Sequence, residues 1–325
     1  MRVTAIIPTR EGDGGPVPRL VAALLALRDA RLRIVVGIDG HAVPRALEPL
    51  IDDPALTVTT GEHGGPGAAR NRAIQHADGD LVLFLNDDVT PAPDLIDRHR
   101  AAHADGATRL VLGGAPFAIS EPDRVLDRMT RETSLLFFYD TMDTRDPDHD
   151  WGFRHAWTLN LSLPRAACEP FDAGLTYPMF DDLEWAYRVT RSHDAPVVYR
   201  PGARVTHHPR YEPQQILPRE SLLGLQALAL HGVNPECART VFGARFDGSP
   251  ASAEEARALV AAEASETYTH FETVAVRPAM QANVHELFAA ARPWRMAARA
   301  AGYLAALDGE APPSANAIFP NTVRA

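Results

Sequence analysis

Asn86-Asp87-Asp88 stands directly after Leu81-Val82-Leu83-Phe84-Leu85, and that junction carries the most chemistry in the chain. An unbroken apolar run of this length reads as a strand buried inside a parallel sheet. Charged side chains cannot follow it into the core without a partner or a metal. The sheet must therefore end there, with two carboxylates projecting from the carboxyl edge of a central strand. Open α/β sheets hold their ligands at that edge. Carboxylates on a rigid element suit a hard divalent cation, and such ions commonly bridge phosphate oxygens. The junction points to a metal–diphosphate site. A solvated Asn-Asp-Asp turn weighs about the same on this segment alone.

Other residues gain meaning from their place relative to that edge. Asp39-Gly40 closes the second strand-like stretch, Arg33–Ile38, so Asp39 shares the edge with Asp88. An acid there can accept hydrogen bonds from a sugar hydroxyl or a base, although an Asp-Gly turn is the commoner cause of such a pair. Gly64-Gly65-Pro66-Gly67-Ala68-Ala69-Arg70-Asn71 is a glycine-rich loop entering a helix. Free N–H groups at a helix start favour anions, and Arg70 adds a planar fork. The stretch is neither a P-loop nor a dinucleotide loop, so alone it says little.

Phe180 to Arg188 places Asp181 and Asp182 at the start of a helix. One acid can cap while the other faces a cleft and takes a proton from a hydroxyl. Glu184 and Arg188 have the spacing of a surface ion pair. His207-His208 follow Arg204-Val205-Thr206, a short strand-like run, and a neutral imidazole there could complete a metal shell begun by Asp88. A single histidine is more often structural. Asp146, Asp148, His149, Asp150 and His155 have metal-like chemistry, but their irregular spacing around Pro147 suits a solvated loop.

The elements that must position these groups alternate along the first hundred residues. Strands are expected at Val3–Ile7, Arg33–Ile38, Leu56–Thr60, Leu81–Leu85 and Arg109–Gly113. Helices are expected at Val17–Leu27, about Pro44–Ile51, Ala68–Ala77 and Pro91 to about His103. This alternation predicts a parallel sheet of nucleotide-binding type with helices on both faces. After Gly114 the regularity breaks: 120–140 reads as helix, 141–156 as a polar stretch, and one good helix starts near Asp181. Beyond Pro213 the Ala-, Leu- and Glu-rich composition predicts several helices, with Ser221–Leu230 a core helix and Pro312-Pro313 opening a loosely held tail.

Composition bounds the function. The chain has 325 residues, 46% hydrophobic and 23% charged, as an ordinary soluble domain or two would. A net charge of −10 argues against a nucleic-acid partner. Two cysteines, Cys168 and Cys237, fit a reducing compartment. Every one of the 32 basic residues is arginine, which removes Schiff-base or P-loop chemistry based on lysine. No stretch is long enough to cross a membrane and no secretory signal opens the chain, so a soluble cytoplasmic protein without a transmembrane segment is expected.

Taken in order, these motifs resemble the GT-A glycosyltransferases of family 2, from Met1 to about Pro209. Val3 to Arg10 is similar to the family's opening strand and its Ile-Pro-Thr turn, Ile38-Asp39-Gly40 to its Asp-Gly-Ser segment with His41 in place of serine, and Gly67-Ala68-Ala69-Arg70-Asn71 to its Gly-x-Ala-Arg-Asn stretch. Asn86-Asp87-Asp88 is similar to its metal-binding Asp-x-Asp motif with Asn in first place. Asn160-Leu161-Ser162, Phe171-Asp172 and Asp181-Asp182-x-Glu184 resemble its acceptor segment, and Pro201-Gly202-Ala203 with His207 its ending.

The resemblance implies an α/β fold of GT-A type, Rossmann-like and mostly parallel, with a C-terminal helical extension. A glycosyltransferase domain would span 1–212, its nucleotide-sugar half 1–114 and acceptor half 115–212, with a helical region over 213–325. It implies a hexosyltransferase that inverts at the anomeric carbon, a nucleoside diphosphate sugar donor (UDP-sugars favoured), a hydroxyl acceptor, and Mn²⁺ or Mg²⁺. Asp182 would be the general base, with Asp181 beside it. Pro8, Thr9, Arg10, Asp39, Gly67, Arg70, Asn71, Asn86 and Asp87 would bind the nucleotide sugar. Asp88 would hold the metal, with His207 or His208. Trp151, Trp157 and Trp185 could stack on sugar faces, though such residues are more often core.

Two other readings compete. A sugar-phosphate nucleotidyltransferase would want a lysine in the loop from Gly12 to Arg19, and none is there. A catalytically silent binding protein is opposed by the intact Asp88 and Asp182. The Ala-rich segment from Ala251 to Leu307 has two uses open to it, covering the acceptor cleft or forming a homodimer contact.

Overall fold

A computed structural model describes residues 1–27, 29–142, 145–262, 264–279 and 282–319. In chain order they form β1 (Val3–Thr9), α1 (Val17–Ala26), β2 (Leu32–Asp39), a 3-10 turn at Arg45–Leu50, β3 (Leu56–Gly61), α2 (Gly65–Ile74), β4 (Leu81–Leu85), β5 (Val89–Pro91), α3 (Leu95–Ala102) and β6 (Leu110–Gly114). Then come α4 (Val125–Glu132), β7 (Asn160–Pro164), α5 (Asp181–Ser192) and β8 (Val197–His207). Helices complete the chain: α6 (Pro213–Val233), α7 (Pro235–Phe242), α8 (Pro250–Ala261), α9 (Ser265–Ala275), α10 (Val284–Ala290), α11 (Arg292–Leu307) and a single turn, α12 (Ala315–Ile318). The α/β class and the helical C-terminal region agree with the sequence reading. No helix among the described residues is long and apolar enough to cross a membrane.

Two compact units arise, Met1–Ala118 with Asp143–Pro209, and Ile119–Met142 with Arg210–Ala325. The first unit holds an eight-stranded sheet in the order β3-β2-β1-β4-β7-β6-β8-β5. β1 pairs in parallel with both β2 and β4. The chain therefore runs outward from β1 through β2 and β3, then returns to β4 on the other side. This reversal creates a crevice between the carboxyl ends of β1 and β4, the place where such sheets take ligands. β1 and β4 are buried along their whole length because neither carries a charge. Phe84 of β4 meets Phe171 and Trp185 edge-on at 5.5 and 5.4 Å, so the sheet packs directly on α5.

The sheet is less uniformly parallel than expected. β7 lies antiparallel between β4 and β6, and the three-residue β5 pairs antiparallel with the end of β8. The stretch from Pro91, read as helix, opens as strand, and α3 begins only at Leu95. α2 begins at Gly65, three residues before the expected start.

In the second unit α4 joins the C-terminal helices. α6 and α11 cross in backbone contact: a Cβ on Gly224 would lie 1.8 Å from Arg299 O, and one on Gly302 would lie 1.9 Å from Ser221 O. Beside that crossing, the fully buried Glu220 accepts hydrogen bonds from Arg295 at 3.1 Å and Arg299 at 2.5 Å. The Ser221–Leu230 stretch does form a core helix. The tail after Pro313 is held more firmly than its composition suggests, because Ile318 and Phe319 are buried and Phe319 stacks on Tyr268. Residues 320–325 of that tail lie outside the described residues.

Candidate active site

The crevice between β1 and β4 gathers the acids at the strand ends. Thr9, the last residue of β1, donates its hydroxyl to Asp87 Oδ2 at 2.6 Å. Burial pushes the Asp87 carboxyl up to about 6; that hydrogen bond opposes the rise and the neighbouring Asp88 adds to it. Asn86 anchors the turn by donating its N–H to Leu159 O at 3.1 Å. Pro8 is buried within β1 and Arg10, the next residue after it, is exposed.

Asp88 faces the end of β8. Its backbone oxygen accepts the His208 N–H at 3.0 Å, and Val89 pairs with His207 in the ladder. His207 Nε2 lies 3.3 Å from Asp88 Oδ1, a buried oxygen that accepts no well-formed hydrogen bond. His207 is 2% exposed and packs against the Phe117 ring at 4.7 Å. Successive strand side chains point to opposite faces, so His208 turns the other way, exposed and bonded to Thr90 Oγ1 at 2.7 Å. Of the two histidines proposed for the metal, only His207 faces Asp88. A carboxylate oxygen and an imidazole nitrogen so close together fit two positions in the shell of a divalent cation. No group of three potential metal-binding side chains gathers among the described residues.

Asp39 behaves differently from a free acceptor. Its Oδ1 accepts the Gly64 N–H at 2.8 Å, and its Oδ2 accepts from Gly65 N at 3.0 Å and pairs with His63 Nδ1 at 2.7 Å. Arg72 Nη2 lies 3.5 Å from Oδ1. Burial opposes ionisation of Asp39, but these donors together hold its carboxyl below the usual range. The anion at the start of α2 is thus Asp39 itself. That corrects the expectation of free N–H groups waiting there for a phosphate.

The rest of the glycine-rich stretch also turns inward. Asn71 Nδ2 donates to Phe171 O at 2.8 Å, and Phe171 N–H returns a bond to Asn71 Oδ1 at 2.7 Å. A Cβ on Gly67 would lie 3.1 Å from Phe171 Cβ, and one on Gly65 would lie 2.0 Å from Thr176 O. Arg70 is buried, its guanidinium sits over the Phe171 ring, and its Nη1 donates to Asp181 Oδ2 at 2.7 Å. Gly67, Arg70 and Asn71, read as nucleotide-binding, instead grip the segment that carries the second acid pair. Asp181, buried and paired, is likewise no free base.

Asp182 follows on α5. It is half-buried by surface area although packing surrounds its carboxyl closely, and Thr158 N–H approaches Oδ2 at 3.4 Å. Burial and then the Asp181 charge push it up to about 7, opposed by Arg70 and by the Thr158 and Leu183 N–H groups. A carboxyl poised near neutrality suits proton abstraction.

Asn160 and Ser162, part of the acceptor-like segment, are fully buried. Asn160 Nδ2 donates to Gly114 O and Ala203 O at 3.1 and 2.8 Å, so its Oδ1 must accept from His99 Nε2 at 3.0 Å. His99 Nδ1 then accepts the Ser162 hydroxyl at 2.7 Å, which in turn accepts from His103 Nε2 at 2.9 Å. Burial pushes both histidines down to about 4. This network pins β7 inside the sheet. Trp185 is core and Trp157 only 9% exposed, while Trp151 is half-buried. Asp146, Asp148, His149 and Asp150 are exposed, with Asp150 capping Val197 and Gly152 N–H groups. Thr158 and Phe117 had no sequence signal; both are recognisable only by their neighbours in space.

Residues 4–160 match the family model described as Glycosyl transferase family 2. Among curated proteins, Galactofuranosyltransferase GlfT2 of Mycobacterium tuberculosis is 25% identical over 180 residues, 48% of this chain and 27% of that protein. The pre-mycofactocin glycosyltransferase of the same species is 36% identical over 91 residues, 27% of this chain and 18% of that protein. The match spans less than a third of the length of each of these relatives. The crystal structure of S. aureus TarS 1-349 in complex with UDP-GlcNAc superposes with a TM-score of 0.48 at 12% identity, covering 95% of this chain and 93% of that one.

Proposed function

We propose, for a chain whose residues 4–160 match the model of glycosyl transferase family 2, that it moves a hexosyl group from a nucleoside diphosphate sugar, UDP-linked in our reading, to an acceptor hydroxyl with inversion. The observation that carries the reading is the pairing of a buried, unbonded Asp88 oxygen with His207 at the mouth of β4. Asp88 and His207 would hold Mn²⁺ or Mg²⁺, whose charge, when bound, offsets that of the departing diphosphate. Two protein ligands leave room in the shell for diphosphate oxygens and water, so metal and nucleotide would bind best together.

Thr9 and Asp87 line the crevice beside that pair, and exposed Arg10 can reach an anionic donor. Asp39, held by α2, offers a fixed negative edge to the nucleoside. Asp182 takes the proton of the acceptor hydroxyl as its oxygen bonds to the anomeric carbon. The bond from that carbon to the diphosphate breaks with its electron pair leaving on the diphosphate, and the configuration inverts. A general base of this kind contributes about 10²–10⁴ in rate.

The test is release of nucleoside diphosphate from a panel of sugar nucleotides with screened hydroxyl acceptors. Wild type releases it in step with transfer. Asp182→Asn binds the donor equally well and loses at least about a hundredfold in turnover. Normal turnover by that variant would remove Asp182 from the mechanism.

A further inference from the structure

We infer that Arg70 and Asp181 form a buried ion pair that positions Asp182 and sets how tightly it holds its proton, with α2 as the rigid mount. This rests on the reading of Asp182 as the base. It assigns Arg70 to positioning, in place of a contact with the nucleotide.

Geometry supports it at three levels. Arg70 and Asp181 are 5% and 4% exposed at the side chain, so their 2.7 Å pair is screened from water and fixed in place. Asp181 Oδ1 also accepts the Met179 N–H at 3.1 Å, which ties the turn before α5 to the same carboxylate. Along α2, Gly65 sits under Thr176 O, Gly67 under Phe171, and Asn71 exchanges two hydrogen bonds with Phe171. The segment from Phe171 to Asp182 is therefore seated on the first two turns of one helix. That helix is in turn capped by Asp39 from β2, so nucleotide edge and base share a single support.

The charged groups that bear on Asp182 are Asp181, which favours its protonated form, and Arg70, which opposes it. The two partners pull in opposite directions, and this makes the inference testable without knowing donor or acceptor. Removing Arg70 leaves the Asp181 charge uncompensated beside Asp182, so Asp182 must protonate more readily. Removing the Asp181 charge frees the Arg70 cation to favour the Asp182 carboxylate, so Asp182 must protonate less readily. Mere structural damage would move both variants the same way.

The experiment is a ¹³C NMR titration of the full-length protein labelled at aspartate carboxyl carbons, with the Asp182 signal assigned by its loss in Asp182→Asn. Arg70→Met should raise the Asp182 midpoint by about one pH unit and Asp181→Asn should lower it by about one. Arg70→Lys should keep it near the wild-type value. Midpoints that do not move, or that move together, overturn the inference. Should Arg70→Met fail to fold, Asp181→Asn decides alone, since an unmoved or raised midpoint there contradicts it. The titration reads the ion pair irrespective of turnover, whereas loss of transfer in Asp182→Asn tests the base, so the two claims fail separately.

Discussion

At the scale of single residues the account divides the work between Asp88 and Asp182, and their surroundings explain the division. Asp88 presents a buried oxygen with no well-formed hydrogen bond beside an imidazole, an arrangement that costs stability unless something cationic repays it. Asp88→Ala should therefore lose the metal-dependent part of nucleotide binding, by about tenfold or more, in calorimetry of UDP with and without Mn²⁺. His207→Ala should weaken the same component. His208→Ala should leave it unchanged, because His208 faces Thr90 on the other side of the strand; equal losses from the two histidines would contradict this assignment. The place of Asp88 at the edge of the sheet was legible in the sequence because acids that close an apolar run cannot follow it into the core; its use there was not, since a solvated turn has the same local sequence. The partner of Arg70 was not, because Asp181 lies 111 residues away and nothing local announces the pair.

At the scale of elements, α2 is the piece on which both halves of the site depend. Gly65 has a φ of +84° and its Cβ would meet Thr176 O at 2.0 Å, so Gly65→Ala meets both strain and collision. It should destabilise the protein by about 1–3 kcal/mol, read by urea unfolding, and lower turnover by displacing α5. An unchanged midpoint would show that α2 does not seat the 171–182 segment. The helix and its glycines were visible in the sequence, but free N–H groups looked the same there as groups committed to Asp39. β1 and β4 were legible for a simple reason, since each is a run of uncharged residues buried on both faces, and β2 because its Ile34–Ile38 centre is the same. β7 was not, because Asn160 and Ser162 place polar groups in the core that only His99 and His103, from α3 and its end, satisfy. β5 is too short to leave a period.

At the scale of the whole molecule, the proposed function has a chain of net charge −10 accept an anionic donor, so on that reading a local cation has to offset repulsion. The same acids that serve the site tax the fold. Asp182 has its folded value raised to about 7, above that of an unfolded aspartate near 3.9. The folded state thus binds more protons than the unfolded one between those values, and stability from this group is lost as pH rises through 7. Asp182→Asn should accordingly be more stable than wild type at pH 8, with the gap closing below about pH 4. Denaturant curves at both pH values check this, and a variant less stable at pH 8 would contradict it.

The central claim, a nucleotide and a divalent ion bound together at the β1–β4 crevice, is tested most directly by melting temperature against UDP, GDP, ADP, CDP and TDP, each with and without Mn²⁺. A ligand that binds only the native state raises the melting temperature by mass action. The account predicts a rise with UDP that appears only when Mn²⁺ is present and vanishes in Asp88→Ala. No rise with any nucleotide, or a rise indifferent to metal and to Asp88, would contradict it.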